Sequence, residues 1–218
     1  DELKTLGEPL QFGEIWSSNT ISIQMELRAL GFEAKDFGIA RDSLASTKEI
    51  FGSALAECDV IISTGGVSVG DFDFVKEALS EFKLDMSFWK VAMKPGKPIA
   101  YGTFNGKPLF ALPGNPVSCL MSFHQFVRPF LLQTVKYPKP FLAKIQAKLI
   151  EPITAKGSRL DFRRMILEER DGELWTKETG SQSSAWLTSL VKADALFPIP
   201  PEVLDVPAGS TVILQLLS

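Results

Sequence analysis

The chain has little histidine and little cysteine, one and two among 218 residues. With His124 the sole imidazole, a histidine-rich zinc site and a Ser-His-Asp triad are both disfavoured within it. Cys58 and Cys119 lie far apart, form no CxxC pair and sit beside apolar residues. That usage reads as two buried thiols in a reducing, cytoplasmic compartment. No apolar run reaches the ~18–20 residues that a membrane helix needs. A basic excess is also missing: 23 Lys and Arg against 26 Asp and Glu leave a net charge of −3. General nucleic-acid binding is therefore disfavoured, while a local positive cluster for a small anionic ligand stays open. There is no internal repeat and no low-complexity tract. What is present is 45% hydrophobic and 22% charged residues, the balance of a globular chain able to bury a core.

Residues 1–137 alternate helical and strand patterns. Ser18 or Asn19 can cap a helix over 20–30 with Ile23, Leu27 and Leu30 on one face, and Gly31 ends it. The pattern then predicts a strand over 33–39, a helix capped by Ser46 running to Glu57 with Ile50, Ala54 and Leu55 inward, and a buried strand over 59–64. A helix follows over 73–81, then strands over 86–92 and 99–104. Asn105-Gly106 signals a hairpin into 109–112. A helix over 117–135 closes this part, with His124 on its apolar face as a packing histidine. Such alternation implies an α/β sandwich with a mainly parallel sheet. The stiff segment Lys136-Tyr137-Pro138-Lys139-Pro140 marks a boundary. Beyond it, strands over 143–150, 162–168, 174–178, 195–199 and 211–216, with a turn at Asp171-Gly172 and a short helix over 185–191, predict a small β domain over 138–218. The tryptophans Trp89, Trp175 and Trp186 and the sixteen phenylalanines read mostly as core.

Four segments carry candidate chemistry. The first is Ser63-Thr64-Gly65-Gly66-Val67-Ser68-Val69-Gly70-Asp71, between a buried strand and a helix. Glycines there let backbone amides approach an anion at the carboxyl end of a parallel strand. It is neither a Walker loop nor a GxGxxG motif, and a plain strand-to-helix turn would suit the same residues. The second is Leu112-Pro113-Gly114-Asn115-Pro116, a helix start with Asn115 as cap and Pro116 in first position. It reads either as that alone or as a second phosphate-facing loop beside the first. The third places Lys90, Lys94 and Lys97 in a proline-flanked segment, either a positioned cationic group or a solvated strand edge. The fourth is acidic: Glu2, Asp42, Asp71 and Asp73. Beside a phosphate cleft, carboxylates call for an intervening cation such as Mg²⁺, although helix capping explains them as well. Arg159, Arg163 and Arg164 add guanidinium groups suited to oxyanions, or to an ordinary surface strand.

With these residues in place, the sequence resembles the molybdopterin molybdenumtransferase family (MoeA-like proteins, including the E domain of gephyrin), C-terminal portion. The matching segments run in family order: Asp1-Glu2-Leu3, Arg41-Asp42, Ser63–Asp73, Phe88-Trp89-Lys90, Met93–Pro98, Leu112–Ser118 and Arg159–Arg164. GGVSVGDFD, KPGKP and LPGNP together make the match specific. The resemblance implies a three-layer sandwich with a mainly parallel sheet, followed by a small C-terminal β-barrel-like domain. It implies that molybdate is inserted into adenylylated molybdopterin with Mg²⁺-assisted hydrolysis and release of AMP. Asp42, Asp73, Lys90 and Lys94 take catalytic positions in that comparison, and Glu2, Asp42 and Asp73 take metal positions. Thr64, Gly65, Gly66, Ser68, Gly70, Lys97, Pro113, Gly114, Asn115, Ser118 and Arg159 take substrate-binding ones. A cytoplasmic homodimer working with a molybdopterin adenylyltransferase follows from the same likeness, with no membrane or nucleic-acid partner. The family's Ser-Thr-Gly before Glu2 is missing, so two further domains are expected ahead of Asp1 in a longer parent chain. The competing functions are molybdopterin adenylyltransferase, which the β domain and KPGKP disfavour, and a non-catalytic scaffold of gephyrin type.

Overall fold

The computed structural model describes residues 2–66, 85–155 and 157–217. Two compact units divide the chain, Asp1–Lys90 with Pro98–Leu120, and Val91–Lys97 with Met121–Ser218.

The first unit opens with β1 (Leu3–Lys4) parallel to β2 (Ile15–Trp16). Helix α1 (Ser18–Ala29) ends as the sequence predicts. Gly31 stands at φ +83, and the amides of Gly31 and Phe32 donate back to Arg28 and Leu27 at 2.9 Å each. That pair of bonds satisfies carbonyls the helix end would leave bare. Helix α2 (Leu44–Glu57) begins earlier than predicted. Ser43 is its cap, accepting from the Ser46 amide at 3.3 Å, while the Ser46 hydroxyl accepts from the Arg41 amide. Phe51, rather than Ile50, joins Ala54 and Leu55 in the core. The strand expected over 33–39 is irregular backbone.

The sheet of this unit runs in the order β3 (Ile61–Thr64), β7 (Lys107–Leu112), β6 (Ala100–Phe104), β4 (Asp85–Trp89). Only β3–β7 is parallel; β7–β6 and β6–β4 are antiparallel. Among the described residues the sheet is therefore mixed, not mainly parallel. The reason is local: Asn105 and Gly106 both take positive φ, +49 and +79, and this two-residue turn forces its flanking strands antiparallel. Phe51, Ala54, Leu55, Ile61, Ala100, Leu109 and Ala111 form the core, with Phe37, Trp89 and Phe104 against it. Each fully buried Leu, Ile or Phe there contributes about 1.5–3 kcal/mol. The helix predicted over 73–81 lies outside the described residues.

The helix predicted over 117–135 is α3 (Pro116–Ser122), a π turn over Phe123–Val127, and α4 (Arg128–Thr134). Pro129 accounts for the π turn. It has no amide to donate to the carbonyl four residues back, and the Arg128 amide reaches Phe123, five back. His124 sits in that turn, buried and edge-on to Phe123. Burial, and then the nearby Arg128 charge, push its pKa down to about 4. This is the packing histidine that the sequence indicates.

In the second unit, β8 (Lys144–Leu149), β10 (Leu160–Arg170), β11 (Glu173–Glu178), β12 (Ala195–Ile199) and β14 (Thr211–Leu216) close into a barrel, with α5 (Thr188–Val191) between β11 and β12. The ring runs β10–β11–β8–β14–β12 and back to β10. Four joins are antiparallel and β8–β11 is parallel. A short strand β5 (Met93–Lys94) pairs parallel to β10, and β9 (Ile153–Thr154) pairs with β13 (Asp205–Val206). On β14, Val212 and Leu214 point inward while Thr211 and Ile213 face out, the period-2 signature of a barrel strand. Leu149, Met165, Ala195, Ile199 and Leu214 anchor the core.

Two expectations about single residues need correction. Cys119 is buried and its thiol is pushed up to about 12 by burial, but Cys58 is only half-buried. Trp186, Phe12 and Phe141 are exposed, not core. Among the described residues no helix is long and apolar enough to cross a membrane.

Candidate functional site

Strands β3 and β7 lie side by side and parallel, with Thr64 opposite Leu112 at their carboxyl ends. Both candidate loops leave from this one edge. The Gly65 amide donates to the Leu112 carbonyl at 2.9 Å, so the register carries on past the strand ends. Gly65 and Gly66 stand at φ +86 and +67, a conformation that favours glycine. A side chain built at Gly114 would touch the Gly65 backbone at 3.6 Å. The two glycine loops are thus neighbours, as the sequence suggested they could be. Asn19, on the first turn of α1, donates its side-chain amide to the Gly114 carbonyl at 2.7 Å and ties this loop down. The sequence offered Asn19 only as a helix cap; its reach to Gly114 depends on a packing no local pattern encodes.

Asn115 is where the next helix begins. Its carbonyl accepts from the Cys119 amide at 2.8 Å, and Pro116 follows in first position. Pro113 and Ser118 are buried, while Gly114 and Asn115 are exposed at the mouth. Thr64 is half-buried beside them. Ser68, Gly70 and Asp73 lie outside the described residues.

The structure brings Glu2 and Asp42 into electrostatic range. The Glu2 carboxyl is held below its usual value, first by its own backbone amide, while the Asp42 charge works against that. Two carboxylates that repel one another suit a cation between them, and Mg²⁺ is bound by one or two carboxylates together with phosphate oxygens. The described residues hold no cluster of three or more such ligands, so the pair fits Mg²⁺ only with further oxygen donors.

Lys90 directly follows β4 with φ +79, unusual for a residue with a side chain. Its amide donates to the Ile99 carbonyl at 2.8 Å, and its side chain is exposed.

Lys94, Lys97 and Arg159 belong to the second unit. Parallel pairing of β5 with β10 places Lys94 opposite Asp161. Lys94 Nζ lies 3.4 Å from Asp161 Oδ2, and Arg163 Nε lies 3.1 Å from the same oxygen. Arg163 also donates to Glu178 at 3.0 Å and to the Thr154 carbonyl at 2.9 Å. Arg159 donates to the Met93 carbonyl at 3.5 Å, and Lys97 is exposed. Asp161 is buried and has two cationic partners. The sequence assigns it no role; the only signal is a lone acid among the arginines of 159–164. Arg164 is almost fully buried on neutral acceptors, the Ser189 hydroxyl and the carbonyls of Phe162 and Ser183. Burial pushes its pKa down to about 10.

Known proteins resemble the chain throughout. Residues 2–133 match the family described as "Probable molybdopterin binding domain", and residues 146–217 match "MoeA C-terminal region (domain IV)". A molybdopterin molybdenumtransferase of Haemophilus influenzae is 34% identical over 99% of this chain and 54% of its own length. A molybdopterin molybdenumtransferase 2 of Mycobacterium tuberculosis is 36% identical over 96% of this chain and 52% of its own. The crystal structure of a molybdopterin biosynthesis moea protein from Pyrococcus horikosii superposes with a TM-score of 0.81 at 28% identity, covering all of this chain and 52% of that one. The chain spans about half the length of the curated relatives it matches. With more than half of its residues inside the first family model and the barrel strands, but for the first two residues of β8, inside the second, the chain belongs to the MoeA-like molybdopterin-binding family.

Proposed function

We propose that the protein carrying this chain is a molybdopterin molybdenumtransferase, which inserts molybdate into adenylylated molybdopterin and releases AMP. One observation carries the reading: two glycine loops leave adjacent parallel strand ends, joined at 2.9 Å and pinned by Asn19. That is the position where open α/β sheets bind phosphorylated ligands. In this reading Thr64, Gly65 and Gly66 line one side of the anion site, and Ser68 and Gly70, outside the described residues, are assigned to substrate by the family likeness alone. On the other side Gly114 and Asn115, exposed at the mouth, offer backbone amides to phosphate oxygens, while buried Pro113 and Ser118 shape that loop. Lys90, Lys94, Lys97 and Arg159 contact oxyanions of the substrates, molybdate included. Two of these donors are already held, Lys94 by Asp161 and Arg159 by the Met93 carbonyl, so they can stabilise developing negative charge with little reorganisation. Glu2, Asp42 and Asp73 would hold Mg²⁺, which when bound offsets phosphate charge and polarises a phosphoryl oxygen.

The same reading frames the chain as an α/β domain over 1–137 and a β domain over 138–218, in a cytoplasmic homodimer supplied by a molybdopterin adenylyltransferase. The test is to mix adenylylated molybdopterin, molybdate and Mg²⁺ with the full-length gene product and follow AMP. Molybdate-dependent AMP release is the expected result. Product formation that needs ATP instead would replace this reading with adenylyltransferase chemistry, and no turnover of either kind would leave a scaffold.

A further inference from the structure

Lys94 and Lys97 bracket a turn whose two central residues, Pro95 and Gly96, are both buried. Gly96 stands at φ +108. A Cβ built there would lie 2.3 Å from Met93 Cε and 3.0 Å from Ser122 Oγ. Ordinary carbon contacts are at about 3.5–4.0 Å, so the first overlap exceeds 1 Å. Met93 is 3% exposed and Ser122 0%, and neither has open solvent to withdraw into. The Ser122 hydroxyl makes no hydrogen bond among the described residues, so it supplies shape alone. The flanks of the turn are held as well. The Val91 amide donates to the Lys97 carbonyl at 3.1 Å, Arg159 reaches the Met93 carbonyl, and Lys94 pairs with Asp161.

We propose that Gly96 is a positioning residue. Its missing side chain lets the turn sit on Met93 and Ser122, and this seat sets where the Lys94 and Lys97 ammonium groups stand toward an oxyanion. The inference rests on the reading of these lysines as anion contacts. A displacement of about 1 Å in such a group costs about 100-fold in rate.

The experiment follows AMP release by variants of the full-length protein. Gly96→Ala is expected to lower turnover about 100-fold. Gly172→Ala controls for backbone strain alone. It stands at φ +76 in the β10–β11 turn, with nothing within 4 Å of an added Cβ. That control should lower the melting temperature and leave turnover near wild type. Adding Met93→Val to Gly96→Ala removes the overlapping atoms but not the φ strain. Turnover should recover about tenfold while the melting temperature stays low, whereas a merely structural role would move both together. Turnover of Gly96→Ala near wild type overturns the proposal, and so does a double variant without recovery. Should Gly96→Ala fail to fold, Ser122→Val presses on the same turn from beneath, and unchanged turnover there overturns it equally. Lys94→Gln tests the underlying reading by itself. Unchanged turnover in that variant removes the role of the lysine, whereas a loss there beside an active Gly96→Ala removes only the seat.

Discussion

Replacing Lys90 by glycine should stabilise the protein and inactivate it at once. At φ +79 a residue with a Cβ carries about 1–2 kcal/mol of backbone strain. The conformation is imposed by its surroundings, because the Lys90 amide is committed to the Ile99 carbonyl at 2.8 Å. The side chain is exposed, so removing it forfeits little packing. Glycine relieves the strain but adds about 0.4–1 kcal/mol of unfolded-state entropy. The net gain for Lys90→Gly is then about 0–1.6 kcal/mol, centred near ~0.8, which is roughly 2–3 °C in melting temperature for a chain of this size. Lys90→Ala keeps the strain and should melt within about 0.5 kcal/mol of wild type. Both variants lose the ammonium group, and both should lose AMP release by about 10²–10³-fold if Lys90 faces a reacting oxyanion. Thermal unfolding beside turnover separates the two effects. Equal melting temperatures for the glycine and alanine variants would refute the strain argument, and full activity in either would refute the catalytic one.

Two further expectations concern the buried groups. Asp161→Ala leaves Arg163 and Lys94 without their shared carboxylate oxygen. Breaking a buried pair costs about 3–5 kcal/mol, and the one-third exposure of Lys94 discounts this to about 2–3 kcal/mol; a denaturant midpoint unchanged from wild type would contradict it. His124, with its pKa pushed down to about 4, is neutral when folded and becomes cationic near pH 6.5 when unfolded. Its contribution to stability is present above pH 6.5 and is lost as the pH falls toward 4, by about 3 kcal/mol in all. His124→Gln should flatten the pH dependence of unfolding over that window, and parallel profiles for the two proteins would rule the histidine out as its source.

Much of the fold was legible where a single residue decides the backbone. Gly31 ends α1, Asn105-Gly106 and Asp171-Gly172 turn their hairpins, and the alternation in β14 sorts inside from outside. Other features depend on partners far away in sequence. Ser43 and Ser46 are equally good caps by type, and only the reach of Ser46 to Arg41 leaves Ser43 for the helix. A strand is expected over 33–39, yet Glu33, Ala34, Lys35, Asp36 and Gly38 are types that strands disfavour, and only Phe37 and Ile39 favour the pleat. Pro129 was visible, but in a helix so strongly apolar it reads as a tolerated residue rather than the cause of a π turn. At the candidate site, the glycine loops were legible because tight turns demand glycine. Asn19 and Asp161 were not, because their roles arise from a loop 95 residues away and from a strand register. The strain at Lys90 is also invisible to composition, since nothing in a lysine's type announces a positive φ.

The ring of the barrel has a consequence for how the chain is made. β14, the last strand, sits between β8, the first, and β12, with Lys144 facing Gln215. Until the ribosome has delivered residues 211–216, β8 and β12 each present an unpaired edge, and such edges recruit strands from other chains. Folding must also wait for contacts of high sequence separation, which form slowly. A nonsense mutation at Thr211, which removes β14 and all that follows it, therefore does more than shorten the protein: it turns a closed surface into two adhesive ones.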